Sequence, residues 1–278
     1  MKREDARSKF AEILSGEESV LELDRAALLI AAEDYPHLEV AHYLDKIDSL
    51  AEAAARSEIH HVDPVTAIQR LSDLLFNELG FEGNLLDYFD ARNSFLSEVI
   101  DRRLGIPITL SVLFIEVGRR LGLKISGVGL PGHFVVKYMD QSSEAFWDPF
   151  NGGRPLDEDG CRSLIDRMYN GSLEFKPSFL DPLPKKQILS RMLQNLKGIY
   201  VRAKDHHKTL GVIDRLLLIN PGALTEIRDR GLVNFALKNY NIARIDLEQY
   251  LQLSPDAEDA AATRERIKQL RQRQAQFN

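Results

Sequence analysis

The sequence predicts an α+β protein that is predominantly α, and three observations carry that expectation. Apolar residues recur at helical spacing along most of the chain. Between residues 123 and 150 the period shifts to two, in short runs rich in Val, Ile, Phe, Tyr and Trp. These runs follow a long apolar helix instead of alternating with helices, which argues for a small antiparallel sheet and against a doubly wound one.

The elements follow in order. Leu23, Ala26, Ala27 and Ile30 mark one helix, and Val40, Leu44, Ile47 and Leu50 mark another beyond the Tyr35-Pro36 break. Asp63 and Pro64 offer a cap and a first helical residue for a helix that carries Ala67, Leu71, Leu74 and Leu75 and stops at Gly80. Residues 81–91 read as an ordered loop. Asn93-Ser94 then offers a cap for a short helix, Phe95 to Arg103, closed by Gly105. Pro107 opens the most apolar helix, whose stripe of Leu110, Leu113, Phe114, Val117 and Leu121 is widened by Ile108, Val112 and Ile115. A stripe that wide predicts a central helix packed on two sides. Residues 123–129, 133–138 and 145–147 read as three strands, the last two joined by a polar hairpin loop.

Composition bounds the function. A chain of 278 residues suits about two domains, and 44% hydrophobic with 28% charged residues describes a folded protein. Thirty-six basic against forty-two acidic residues give a net charge of -6, a poor balance for a nucleic-acid binder. The single Cys161 excludes a disulfide framework and an all-cysteine zinc site. His60-His61 and His206-His207 lack nearby ligands at metal-binding spacing, and the basic run Arg264 to Arg273 reads as a solvated helical face. No metal and no cofactor are expected. The start has no apolar signal region, and the longest apolar stretch, 106–117, falls short of the roughly 20 residues a membrane span needs. The expected setting is the cytoplasm, without a membrane partner.

Residues 176–186, with three prolines, read as a linker. Beyond them the chain repeats. Leu216-Leu217-Leu218-Ile219-Asn220-Pro221 aligns with Tyr250-Leu251-Gln252-Leu253-Ser254-Pro255 at an offset of 34 residues, and Gly198 aligns with Gly231 at 33. A helical unit of that length ending in Asn/Ser-Pro is the tetratricopeptide pattern. Stacked units of this kind expose a concave face, so another protein is the expected partner.

The stretch from Asn93 to Gly153 holds the strings Arg102-Arg103-Leu104-Gly105-Ile106-Pro107, Pro131-Gly132-His133-Phe134 and Asp148-Pro149-Phe150-Asn151-Gly152-Gly153. Their order resembles the transglutaminase-like superfamily, most closely the bacterial family usually called "SirB one", which joins such a domain to tetratricopeptide repeats. The resemblance implies a papain-like core and a division into a helical extension (1–60), the transglutaminase-like core (61–175) and the repeat helices (186–278). In active members a cysteine opens the central helix, a histidine follows on the next strands, and an aspartate orients the imidazole. The resemblance puts His133 and Asp148 in the last two places. The cysteine place falls at Pro107-Ile108-Thr109, where no thiol stands.

Cys161 lies beyond the Asp148 turn and reads as a small buried hydrophobe. A hydroxyl at Thr109, Ser111 or Ser94 is the substitute nucleophile to test against His133, although back-bonding within the helix is the expected role for Thr109. Asn93 and Trp147 are the expected cleft-lining binding residues, Asn93 with a helix cap as its alternative. The resulting reading is a non-catalytic protein-interaction or regulatory scaffold. Its competitor is a hydrolase or acyltransferase that uses His133 and Asp148 with a hydroxyl or water.

Overall fold

The computed structural model describes residues 3–56, 59–141 and 143–275. Two compact units, Met1–Met192 and Leu193–Asn278, divide the chain. Helices α1 (Arg3–Ser15), α2 (Leu23–Asp34) and α3 (Val40–Ala55) open the first unit. Every residue of α2 from Ala26 to Ala32 is apolar and buried, so this stretch of the helix is enclosed on all sides. Helix α4 (Pro64–Ser72) starts as expected, with the Thr66 N–H donating to Asp63 Oδ1 at 3.0 Å, and passes into a π-helical turn that ends at Gly80.

Helix α5 (Leu96–Arg102) departs from the expected capping. Asn93 and Ser94 lie in a preceding 3-10 turn, the cap position is Phe95, and the Asn93 amide is spent on the loop before it. The helix stops at Arg103, whose φ of 60° is left-handed, and not at Gly105. Gly105 belongs to a two-residue strand, β2 (Leu104–Gly105), parallel to β1 (Glu82–Gly83). Then comes α6 (Pro107–Arg120), buried without interruption from Pro107 to Gly118, the central helix its wide stripe demands.

The sheet is antiparallel and four-stranded, in the order β3 (Ile125–Val128), β4 (Val135–Met139), β5 (Glu144–Asp148) and β6 (Arg154–Leu156). Strand β6 was not among the expected strands. Helix α7 (Glu158–Tyr169) packs Cys161, Leu164 and Ile165 with Val128, Leu130, Val135, Phe146 and Leu180. Leu180 and its neighbours correct the linker reading of 176–186. Leu180 is buried, Pro182 bridges Val128, and the Leu183 N–H donates to Gly127 O at 2.8 Å, so the segment lies along the β3 border.

A charged cluster ties the N-terminal helices to α6. Arg120 meets Asp24 Oδ2 at 2.7 Å and Glu116 Oε2 at 3.4 Å, and also pairs with Asp48, while Arg119 meets Glu116 at 2.8 Å. Burial, then the charge of Asp24, pushes the Glu116 carboxyl up from 4.5 to about 7 against the pull of the two arginines.

Helix α8 (Lys185–Arg202) carries the unit boundary, and α9 (His206–Ile219), α10 (Leu224–Ala236), α11 (Tyr240–Leu253) and α12 (Ala260–Ala275) follow. Pro221 and Pro255 stand just past α9 and α11, where the repeat places them. Ile213, Leu217, Ile227 and Tyr250 form one core of this unit, and Ala243, Leu247, Ile267 and Leu270 another, in which α12 covers α11. His206 and His207 open α9 behind the Asp205 cap. A Cβ on Gly231 would come within 2.8 Å of Leu247, whereas one on Gly198 would meet nothing within 4 Å beyond its own helix. The two aligned glycines therefore differ, with a close helix approach at Gly231 and open space at Gly198.

Two predictions follow from this packing. Gly198→Ala should stabilise the protein by up to about 1 kcal/mol, because alanine fits the open position and the unfolded chain has less conformational entropy to lose on folding. Gly231→Ala should destabilise it by about 1–3 kcal/mol through overpacking, and paired denaturation curves read both signs. At Glu116 the folded state holds its proton to higher pH than the unfolded state, so stability falls as pH rises from about 4.5 to about 7. Glu116→Gln lacks that penalty. Its melting temperature relative to wild type should be more favourable at pH 8 than at pH 5.

Candidate functional site

His133 is delivered by a turn whose residues specify it. Pro131 fixes its own φ, Gly132 takes φ 72°, and the His133 N–H donates to Leu130 O at 3.1 Å, the chemistry of a type II turn. Arg191 of α8 braces that turn from behind, its Nη2 donating to His133 O at 3.0 Å and to Leu130 O at 3.2 Å. Burial holds the Arg191 guanidinium below its usual range, and among the described residues carbonyls, not a carboxylate, receive its hydrogen bonds. This positioning residue lies 58 positions from His133, and no local pattern announces it.

Asp148 ends β5 and is fully buried. Its Oδ1 accepts from His133 Nε2 at 2.9 Å, and its Oδ2 accepts from Asn151 Nδ2 at 2.6 Å. Burial raises such a carboxyl, yet the imidazole, the Asn151 side chain and the Asn151 N–H together hold it below its ordinary value. The carboxylate is therefore the acceptor and Nε2 the donor, and Nδ1 is the ring nitrogen left outside this bond. No described side chain hydrogen-bonds Nδ1.

The imidazole opens onto a cleft of about 590 Å³. Pro107, at the first position of α6, lines it with Tyr88, Phe150, Arg154, Arg167 and Met168. Phe150 stands edge-on to His133 at 6.1 Å and to Tyr88 at 5.9 Å. The helix start, the histidine and the aspartate thus converge as they do in a thiol triad, but the residue at the helix start is a proline.

The other expected site residues sit elsewhere. Thr109 is fully buried. Its hydroxyl donates to Asn93 O at 2.7 Å and accepts the Ile106 N–H at 3.1 Å, so it closes the first turn of α6 onto the preceding chain instead of facing His133. Asn93 is equally buried and serves as a brace. Its Nδ2 donates to Asp87 O at 2.7 Å, and its Oδ1 accepts from Asn84 at 3.1 Å. Trp147 is 1% exposed, with its indole N–H on Gln69 Oε1 at 2.9 Å, because β5 turns it away from solvent and into the core. Ser94 and Ser111 are buried with hydroxyls that lack a hydrogen-bond partner. Cys161 is fully buried, and burial followed by the charge of Asp148 pushes its thiol up to about 12, which keeps it a thiol at neutral pH. Among the described residues no three His, Cys, Asp or Glu side chains group as metal ligands, and no helix is long and apolar enough to cross a membrane.

The Asp148 carboxylate gives a pH signature. Its depressed folded-state value means that its stabilising contribution is complete above the ordinary value of 3.8 and is lost as pH falls from there toward the folded value. Asp148→Asn should lower stability at pH 7 and flatten the acid limb. Urea midpoints measured at pH 7, 5 and 3 check this, and parallel curves for variant and wild type would contradict it.

A family model described as the transglutaminase-like superfamily matches residues 41–194, and one described as tetratricopeptide repeat matches residues 196–268. The chain is 37% identical over 255 residues to the UPF0162 protein of Xylella fastidiosa (strain 9a5c), covering 89% of each. It is 28% identical over 241 residues to the UPF0162 protein of Vibrio cholerae serotype O1, covering 86% of each. It is also similar to F-box only protein 21 of Mus musculus, at 30% identity over 140 residues, which is 48% of this chain and 21% of that protein. No solved structure matches it. With more than half its length matched and the repeats following in order, the chain belongs to the transglutaminase-like superfamily, among bacterial proteins that join such a domain to tetratricopeptide repeats.

Proposed function

We propose that this protein is a non-catalytic transglutaminase-like scaffold of the cytoplasm, which binds another protein through its repeat surface. One observation carries the reading: Pro107 lines the cleft beside His133 at the first position of α6, within the Pro107-Ile108-Thr109 stretch that the resemblance assigns to the cysteine of active members. Proline offers neither a nucleophile nor a backbone donor at that helix start. The engaged hydroxyl of Thr109 and the buried thiol of Cys161 support the same conclusion. Repeats of this type generally mediate protein–protein contact, and Leu232, Ile242 and Ile245 leave apolar surface exposed on α10 and α11.

A hydrolase or acyltransferase remains the competing reading, and the His133–Asp148 hydrogen bond is the observation in its favour.

Profiling with broad serine- and cysteine-hydrolase probes, together with a panel of ester and amide substrates, separates the two. Wild type should show neither labelling nor turnover. Pro107→Cys should acquire iodoacetamide labelling that falls in the Pro107→Cys/His133→Ala double variant, whereas Thr109→Cys should stay unlabelled because its site is sealed. Wild-type turnover that disappears in His133→Ala would replace the scaffold with the enzyme.

A further inference from the structure

The cleft carries a charge pattern that an idle relic of a catalytic site does not require. Arg154, at the start of β6, and Arg167, in the last turn of α7, both line it and are exposed. Among the described residues neither pairs with a carboxylate; Arg167 reaches only Ser163 O within its own helix, at 3.3 Å. None of the side chains that line the cleft is acidic. Asp148 lies beneath the lining and is committed to His133 and Asn151. In a chain of net charge -6 the cleft is therefore a local reversal of sign.

Beside it stands a loop, residues 85–89, whose exposed apolar side chains flank a single carboxylate, Asp87. Leu85 is 77% exposed, Leu86 101% and Phe89 57%, and Tyr88 of the same loop lines the cleft. This loop is held from within by buried amides. Asn93 donates to Asp87 O at 2.7 Å and to Tyr88 O at 3.3 Å, and Asn84 both donates to Asn93 Oδ1 and accepts the Asp87 N–H at 3.0 Å. A braced backbone presenting apolar side chains to water is a preorganised contact surface, because the ordering cost of binding is already met by folding.

We propose that the cleft and this loop together bind an extended segment of a partner protein in which carboxylates alternate with apolar side chains. The carboxylates meet Arg154 and Arg167, with guanidinium forks suited to bidentate contact. The apolar side chains lie against Leu85, Leu86, Tyr88 and Phe89. A small anion would use the arginines and leave the loop idle, whereas a polypeptide engages both. This site is separate from the repeat surface. Loss of peptide binding with partner capture through the repeats intact, or the reverse, tells the two proposals apart.

The test uses the full chain and fluorescence anisotropy with a fluorescein-labelled peptide alternating Glu with Leu and Phe, a Lys-for-Glu counterpart, and citrate as a small-anion competitor. The Glu peptide should bind saturably and weaken with added salt, and the Lys peptide should not bind. Arg154→Glu/Arg167→Glu should lose on the order of tenfold in affinity for the Glu peptide and gain affinity for the Lys peptide. Leu86→Asp should weaken the Glu peptide without touching the arginines. Arg154→Gln/Arg167→Gln is the gentler variant should charge reversal disturb the fold, which circular dichroism monitors. Equal binding of both peptides, wild-type affinity in folded arginine variants, or an unchanged Leu86→Asp with citrate binding as tightly as the peptide would each overturn the proposal.

Discussion

A 2.9 Å hydrogen bond between a buried imidazole and a buried carboxylate is the constraint around which the cleft is built. Asp148 cannot stay ionised in the interior without donors on both oxygens, so His133 and Asn151 must come to it. Supplying His133 fixes the turn before β4, and supplying Asn151 fixes the turn after β5. The two turns carry the cleft wall, including Phe150 and Gly132. The pair therefore has a structural duty that does not depend on turnover. That duty is compatible with a proline at the start of the helix beside it.

The same economy applies in the first turn of α6. Thr109 ties the first turn of that helix to Asn93, and Asn93 with Asn84 ties the loop that carries Tyr88. A chain of three polar side chains, each shielded from water, thus runs from the central helix to the most exposed apolar residues of the first unit. In low dielectric these bonds are strong when complete and costly when broken, which makes the loop a fixed element and not a floppy insertion.

Much of this architecture was legible in the sequence, for identifiable reasons. The width of the α6 stripe announced two-sided burial, and the alternation after Gly122 announced the sheet, because both periods follow directly from backbone geometry. The Pro-Gly-His and Asp-Pro strings announced the paired side chains. What was not legible depended on tertiary partners. Thr109 offered a hydroxyl to its own helix or to His133, and the carbonyl of Asn93 was invisible as its acceptor. Arg154-Pro155-Leu156 is too short for a periodic signal and its proline disfavours a strand interior, yet an outermost strand tolerates it. Arg191 and Trp147 are cases of the same kind: each takes its place from a residue far along the chain, His133 for one and Gln69 for the other.

The sheet's two borders have a consequence for how anything can be recognised here. On one side Pro182 and Leu183 already occupy the β3 border, and on the other β6 is three residues long with a proline at its centre. A polypeptide arriving at this sheet finds, among the described residues, no long run of free main-chain donors and acceptors to extend. Recognition by strand addition, which is tolerant of sequence, is closed off at both borders. Whatever binds must be read by its side chains, so selectivity in this unit resides in the chemistry of a few surface groups and not in backbone pairing.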